Sequence, residues 1–275
     1  MEIRELLEKT NKLPNVPDVV KELIQQLNNP NADYSKIASK VAQDQTLSLK
    51  ILRLVNSAHF GLRRKVSSID EAVVMLGMAR LKTMVIASGV VGSVKDVKGL
   101  DLRRFWSEAF FVAAVAKWLA EKTGNVDADT AFTVGLIHNI GRLLLHLSKP
   151  DIAQSIQARI DATGCNRSDA EMECLGFPTP QAGQALLDLW RFPPELGIAI
   201  LQHKQPTDFE NASPVAAVIN LACGINAAKL NNTDPDTLRD NFPMDVVKIA
   251  GLSGSVLSDL SDALALESGL EGLID

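Results

Sequence analysis

"GLIHNIGRLLL", residues 135–145, sets His138 beside Asn139 in the middle of an apolar segment, with Gly141 two residues after the amide. Upstream, "ADTAFTVGLIHN" reads as one helix, whose start either Asp127 or Asp129 can cap. Downstream, "GRLLLHLSKP" reads as a short helix ended by Pro150. Two helices meeting at a polar pair are therefore the local expectation. Where such a pair is His-Asp, imidazole and carboxylate can bind a metal together. Here the second member is an amide, with one neutral oxygen and no charge. Whether the chain carries metal chemistry or only the outline of such a site turns on that substitution.

The helical reading extends outward in both directions. Toward the carboxyl end, "DLRRFWSEAFFVAAVAKWLAEKTG" is amphipathic and closes on Gly124. "DIAQSIQARIDATG" closes on Gly164, and Ser168 with Glu171 has the spacing of a capping box. Thr179-Pro180 and Ser213-Pro214 have the form of cap-plus-proline starts, and Pro193-Pro194 opens "PELGIAILQH". Toward the amino end, "NVPDVVKELIQQLNNP" reads as a helix after Pro17 that Pro30 ends, and Asp33 can cap "DYSKIASKVAQDQ". "DQTLSLKILRLVNSAHFG" places Leu47, Ile51, Leu54, Val55 and Ala58 on one face, with Asp44 as cap and Gly61 beyond its end. "SSIDEAVVMLG" opens on a second capping box, Ser68 with Glu71, and stops at Gly77; "RLKTMVIASGVV" continues as an apolar helix. No alternating run of β-branched residues appears, so the fold class is all-α with many helices.

Composition agrees with a packed helical chain. Of 275 residues, 46% are apolar and 22% charged, which supplies a core and excludes wholesale disorder. Cys165, Cys174 and Cys223 are odd in number and lack any CxxC, so they suggest neither a disulfide framework nor a zinc site, only small buried hydrophobes. "MEIRELLEKT" has no signal-peptide apolar region, and the longest uncharged stretch, Asn211–Ala228, is broken by Ser213, Pro214 and Asn220. A buried helix, no membrane partner and a cytoplasmic location are expected. The net charge of −5 divides unevenly: residues 1–100 carry 15 basic and 10 acidic side chains, and the remainder 13 and 23. With the polar break "VKDVKGLDL", this predicts two packed lobes, 1–98 and 99–275. The basic excess is modest and has no helix with interleaved Arg and aromatic residues, so nucleic acid is not an expected partner.

Several segments in combination resemble the HDOD domain family. "LPNVPDVVKELIQQL", "VAQDQTLSLKILRLVNSAHFG" and "VSSIDEAVVMLGMARLKTMV" are similar to the amino-terminal half of that domain. "FWSEAFFVAAVAKWLA", "AFTVGLIHNIGRLLL", "ECLGFPTPQAGQALLDLWRFPPEL" and "AILQHKQP" are similar to its second half, and together they span about Leu13 to Cys223. The resemblance implies an amino-terminal helical lobe, an HD-like lobe with a carboxy-terminal helical extension, and a bacterial signalling role. It also implies kinship to HD-superfamily metal-dependent phosphohydrolases, whose His, His-Asp pair and distant Asp hold divalent ions. Carried over by position, the first His falls at Glu108, the His-Asp pair at His138 and Asn139, and a further His at Thr179. The His-rich run leaves His203, and the last Asp falls at Cys223. With carboxylates replaced at two positions, no catalytic residue, no metal ligand and no cofactor is expected.

The surviving polar residues then need another account. His138 reads as a buried histidine bonded to backbone, and Asn139 as a tie between helix ends. Glu108 sits on an apolar face with Phe105, Ala109 and Val112, so it needs a partner; His138 and Arg142 are the candidates. His59 reads as a helix-end residue, His146 as a carboxyl-end cap, Arg63, Arg64 and Lys65 as a solvated turn, and Trp106, Trp118 and Trp190 as core. The function classes that compete are a non-catalytic signalling module, binding a partner protein or small-molecule ligand through a relic pocket or a helical surface, and a metal-dependent phosphohydrolase acting on a nucleotide or phosphoester. The ligand count favours the first.

Overall fold

The computed structural model describes residues 2–7, 22, 23, 26, 33–43, 45–56, 65–69, 71–75, 77, 81, 85 and 96–267. Among them every regular element is helical and none is a strand. The α-helices are α1 (Ile3–Leu7), α2 (Tyr34–Gln43), α3 (Gln45–Val55), α4 (Leu102–Ala120), α5 (Ala128–Ile137), α6 (Ile140–Ser148) and α7 (Pro150–Thr163). They continue as α8 (Arg167–Leu175), α9 (Thr179–Leu189), α10 (Pro194–Gln202), α11 (Pro214–Leu230), α12 (Pro235–Asp240), α13 (Met244–Ile249) and α14 (Leu260–Ala265). Short 3₁₀ turns cover Pro206–Asp208 and Gly254–Asp259.

Helix α4 is the axis of the larger half. Asp101 caps it by accepting from the Arg104 backbone N–H at 3.0 Å, and apolar residues on nearly all of its faces are buried. Its small residues let α5 approach closely: a Cβ added at Gly135 would sit 2.7 Å from the Ala113 Cα. Helix α11 packs on both α4 and α5 and is apolar all round, which explains its complete lack of charge over 214–228. Helix α6 crosses α9 just as closely. A side chain on Gly141 would overlap the Thr179 carbonyl and meet the Gly183 nitrogen at 2.8 Å. The two glycines that bracket His138 and Asn139 thus fix the α5–α6 bend against two different helices.

The amino-terminal elements join the same apolar cluster. Leu6 is fully buried as α1 packs on α6 and α9, and the Ser148 hydroxyl donates to the Leu6 carbonyl at 3.0 Å. Leu47, Ile51 and Val55 are buried on α3, as their spacing requires; the Leu54 side chain lies outside the described residues. Asp33 caps α2 through the Ser35 and Lys36 amides, and Ser68 accepts from the Glu71 amide at 3.2 Å while Glu71 accepts from Ser67. Pro17, Pro30, Asp44, Ala58, His59, Gly61, Arg63 and Arg64 also lie outside the described residues, as does most of "RLKTMVIASGVV".

Local chemistry departs from the sequence expectations at several ends. Asp127, not Asp129, caps α5, and α4 ends at Ala120 rather than running on to Gly124. Asn166 caps α8 in place of Ser168, because its side chain reaches the Ser168 amide at 2.8 Å. Gly164 ends α7 as expected, and Gly176 ends α8, each in the left-handed region that glycine enters without strain. Ser213 caps α11 as expected. Trp106 and Trp190 are core, whereas Trp118 is half-buried with the Lys122 ammonium 4.3 Å above its ring. Cys174 is exposed rather than a buried hydrophobe.

Candidate functional site

The α5–α6 bend carries the site. His138 follows the last residue of α5, and Asn139 joins it to α6 with φ −98° and ψ 16°. The Asn139 side chain makes no cap hydrogen bond; its backbone carbonyl instead accepts from the Arg142 and Leu143 amides at 3.0 and 3.2 Å. The side-chain amide therefore does not tie the helix ends together, and the carbonyl bonds only start α6.

His138 and His203 form the interior half of the site. Each follows the last turn of a helix and each places Nδ1 at 2.6 Å from the carbonyl three residues back, Gly135 and Ile200 respectively. A carbonyl only accepts, so both Nδ1 atoms carry the proton and both Nε2 atoms bear a lone pair. The rings meet edge to face, with centroids 5.5 Å apart. Burial pushes the His138 imidazole down to about 3, helped by the charge of Lys204, and holds His203 well below its ordinary value for the same reasons. Both are neutral. The His203 Nε2 is buried and has no hydrogen-bond partner. The Asn220 amide locks the segment by donating to the His203 and Lys204 carbonyls at 2.9 and 3.0 Å.

The remaining polar residues group differently. Glu108 does not accept from His138 or Arg142. Its carboxylate takes the Arg104 Nε at 2.7 Å, because both lie on the same side of α4 one turn apart. Glu108 and Arg142 instead share the wall of a cavity of about 480 Å³ with Arg104, Arg167, Gln157 and Asp161. Burial lowers the Arg142 guanidinium to about 10, with the neighbouring Arg167 charge adding to the effect, and the Arg142 Nε has no hydrogen-bond partner. Thr179 is buried against Glu171, whose carboxylate accepts from the Thr179 amide at 2.7 Å and from its hydroxyl at 2.9 Å. Arg167 lies 3.8 Å from the same carboxylate and also donates to the Gln157 side-chain oxygen. Cys223, on α11, has its thiol pushed up by burial. His146 is buried rather than a carboxyl-end cap, and burial and Arg142 take it down to about 4.

Glu171 reads from sequence as a capping-box residue, which misses its bond to Thr179. Its place three residues after Ser168 mimics a capping box, yet the side chain turns inward to hold the start of α9. The available signal was Thr179, eight residues on, whose amide is a first-turn donor needing an acceptor.

The divalent ions implied by the HD kinship find a poor fit. The neutral lone pairs of His138 and His203 suit a metal, and a ring nitrogen held on a carbonyl is the usual arrangement behind a ligating histidine. Among the described residues no negative charge accompanies them: Asn139 is neutral, Glu108 is committed to Arg104, and the Cys223 thiol resists ionisation. Among the described residues no group of three or more His, Cys, Asp or Glu is placed to hold a metal ion. Two imidazoles without a carboxylate leave the ion's charge uncompensated in a dry site.

Comparison with known proteins places the chain. The HDOD domain model matches residues 13–206. An uncharacterized protein of Treponema pallidum (strain Nichols) is 26% identical over 223 residues, covering 79% of this chain and 42% of the relative. The cyclic di-GMP phosphodiesterase CdgJ of Vibrio cholerae serotype O1 is 32% identical over 131 residues, 46% of this chain and 28% of that protein. The chain thus spans less than half the length of these relatives. A solved structure from Shewanella amazonensis SB2B, named "Putative phosphohydrolase", superposes with a TM-score of 0.82 at 33% identity over 98% of both chains. Among the described residues no helix is long and apolar enough to cross a membrane.

Proposed function

The chain belongs to the HDOD domain family, and from that premise we propose that it is a bacterial signalling or regulatory module whose HD-type site is non-catalytic and which acts by binding a partner protein or ligand. The observation that carries this reading is the state of the retained histidines. His138 and His203 are neutral, bonded to backbone and packed on each other, and among the described residues no carboxylate bonds or acts appreciably on either ring. A hydrolytic centre needs charge-balanced metal ligands to make a bound water nucleophilic. Here the two imidazoles work as packing residues that join the ends of α5 and α10. The proposed relic pocket comprises Glu108, His138, Asn139, Arg142, Thr179, His203 and Cys223, of which His138 and His203 form an interior pair and Glu108 and Arg142 line the cavity. The two-lobe division, 1–98 and 99–275, and a cytoplasmic location belong to the same proposal, with a signalling protein as the expected partner.

One observation favours the phosphohydrolase alternative: the Nδ1 contacts leave a lone pair on each Nε2, the tautomer that metal-ligating histidines adopt, and the His203 Nε2 has no partner. The experiment is elemental analysis of protein purified without chelator, with phosphatase and phosphodiesterase assays in added Mn²⁺, Mg²⁺ or Fe²⁺. The expected result is no stoichiometric metal and no turnover. One equivalent of bound iron or manganese, with turnover abolished by His138→Ala, overturns the reading.

A further inference from the structure

The cavity walled by Glu108 and Arg142 contains a cation that, among the described residues, no carboxylate pairs by hydrogen bond or ion pair. Three arginines reach its wall, and their partners differ. Arg104 is matched by Glu108 at 2.7 Å. Arg167 has Glu171 at 3.8 Å and a neutral amide oxygen from Gln157. Arg142 has neither: among the described residues no carboxylate bonds it, its Nε is buried without an acceptor, and the like charge of Arg167 acts on it more strongly than the charge of Glu108 or of Glu171. The acidic side chains that share the wall are already engaged. Asp101 caps α4, Glu108 holds Arg104, and Asp161 accepts from the Gln157 amide at 2.8 Å.

A half-buried guanidinium facing a second one is costly when left unpaired. It is also what an anion site looks like before its anion arrives. One guanidinium fork saturates the two oxygens of a carboxylate, whereas the three free oxygens of a phosphate can be shared between two forks. The cavity, about 480 Å³, is larger than a bare phosphate needs and falls within the range of small-molecule sites, roughly 300–1,000 Å³. Leu100 and Phe105 add apolar surface to its wall, which a bare inorganic ion would not use.

We infer that this cavity binds a phosphorylated small molecule of nucleotide size, with Arg142 and Arg167 gripping the phosphate. The inference deepens the binding-module reading and rests on it. Binding is recognition here, not turnover. Arg142 comes to the cavity from the first turn of α6, four residues after His138, so occupancy would clamp α6 to α8, which carries Arg167.

The test is isothermal titration calorimetry on the full chain with AMP, GMP, adenosine, guanosine and inorganic phosphate, without added metal. At least one nucleotide is expected to bind ten-fold or more tightly than its nucleoside, with inorganic phosphate competing weakly. Arg142→Gln should weaken that binding at least ten-fold, and Arg142→Lys, which keeps charge but loses the fork, should fall between. Lys248→Gln, an exposed basic residue outside the cavity, should leave affinity unchanged. Thermal melts check that the Arg142 variants fold, and Arg167→Gln provides the same affinity test from α8. Nucleotides binding no better than nucleosides, or folded Arg142 and Arg167 variants binding as the parent does, would overturn the inference and leave the non-catalytic reading standing. Nucleotide binding accompanied by phosphate release would support the cavity and overturn the non-catalytic reading instead.

Discussion

His138 and Arg142 are four residues apart on one helical bend, yet they meet opposite conditions. His138 faces inward, packs on His203 and stays neutral. Arg142 reaches a cavity wall and remains a cation, even though burial lowers it to about 10. The two interior histidines are neutral packing groups, whereas Arg142 keeps its charge where a cavity lets solvent or a ligand reach it. The desolvation cost of an unpaired ion decides between the two outcomes.

The strongest way to break this comparison is to move the bend. Gly141→Val would drive a branched side chain into the Thr179 carbonyl and the Gly183 nitrogen. Overpacking against backbone should cost about 3 kcal/mol or more, seen as a lower midpoint in urea unfolding. A midpoint equal to the parent's would mean that α6 and α9 do not pack this closely.

Acid sharpens the same contrast. His138 titrates at about 3 and His146 at about 4 in the folded chain, against 6.5 when unfolded. Between those values the unfolded state binds more protons. Stability is therefore full above pH about 6.5 and is lost as pH falls from there toward 4, by about 1.4 kcal/mol per pH unit for each histidine. His203 adds to the loss in the same direction. The pH dependence of unfolding for His138→Gln should be shallower than for the parent by one such contribution. Parallel curves would place that imidazole in water.

Double-mutant cycles separate the two halves directly. His138→Gln with His203→Gln should show coupling of about 1 kcal/mol, because the rings touch. Glu108→Gln with His138→Gln should be additive within about 0.5 kcal/mol, because the carboxylate is held by Arg104. Coupling in the second cycle would restore a single continuous network. The smallest effect belongs to the solvent-facing pair on α4. Arg104→Gln should cost about 0.3–0.5 kcal/mol, an exposed i,i+4 ion pair, and raising salt should reduce even that.

Much of the fold was legible from local chemistry. Helical periodicity, Ser213-Pro214, Pro193-Pro194 and Gly164 each signal an end through a rule that operates within one turn, and the structure keeps them. The glycines of "GLIHNIG" were visible, but their use was not. Gly135 and Gly141 matter because of Ala113 and Thr179, which lie 22 and 38 residues away in sequence. Glu171 shows the opposite failure, a local pattern overridden by a distant partner.

The candidate site follows the same division. The resemblance to the HDOD family put an amide at Asn139 and a thiol at Cys223 where carboxylates were expected, and what those side chains can ligate depends on the atoms they offer. Which survivors meet was decided by packing. Glu108 turned to Arg104 within its own helix, His138 found His203 across 65 residues, and Arg142 found Arg167 across a cavity. Sequence fixes donors, acceptors and helical faces because these are covalent and local. Protonation and pairing depend on burial, and burial exists only once distant helices have closed on one another.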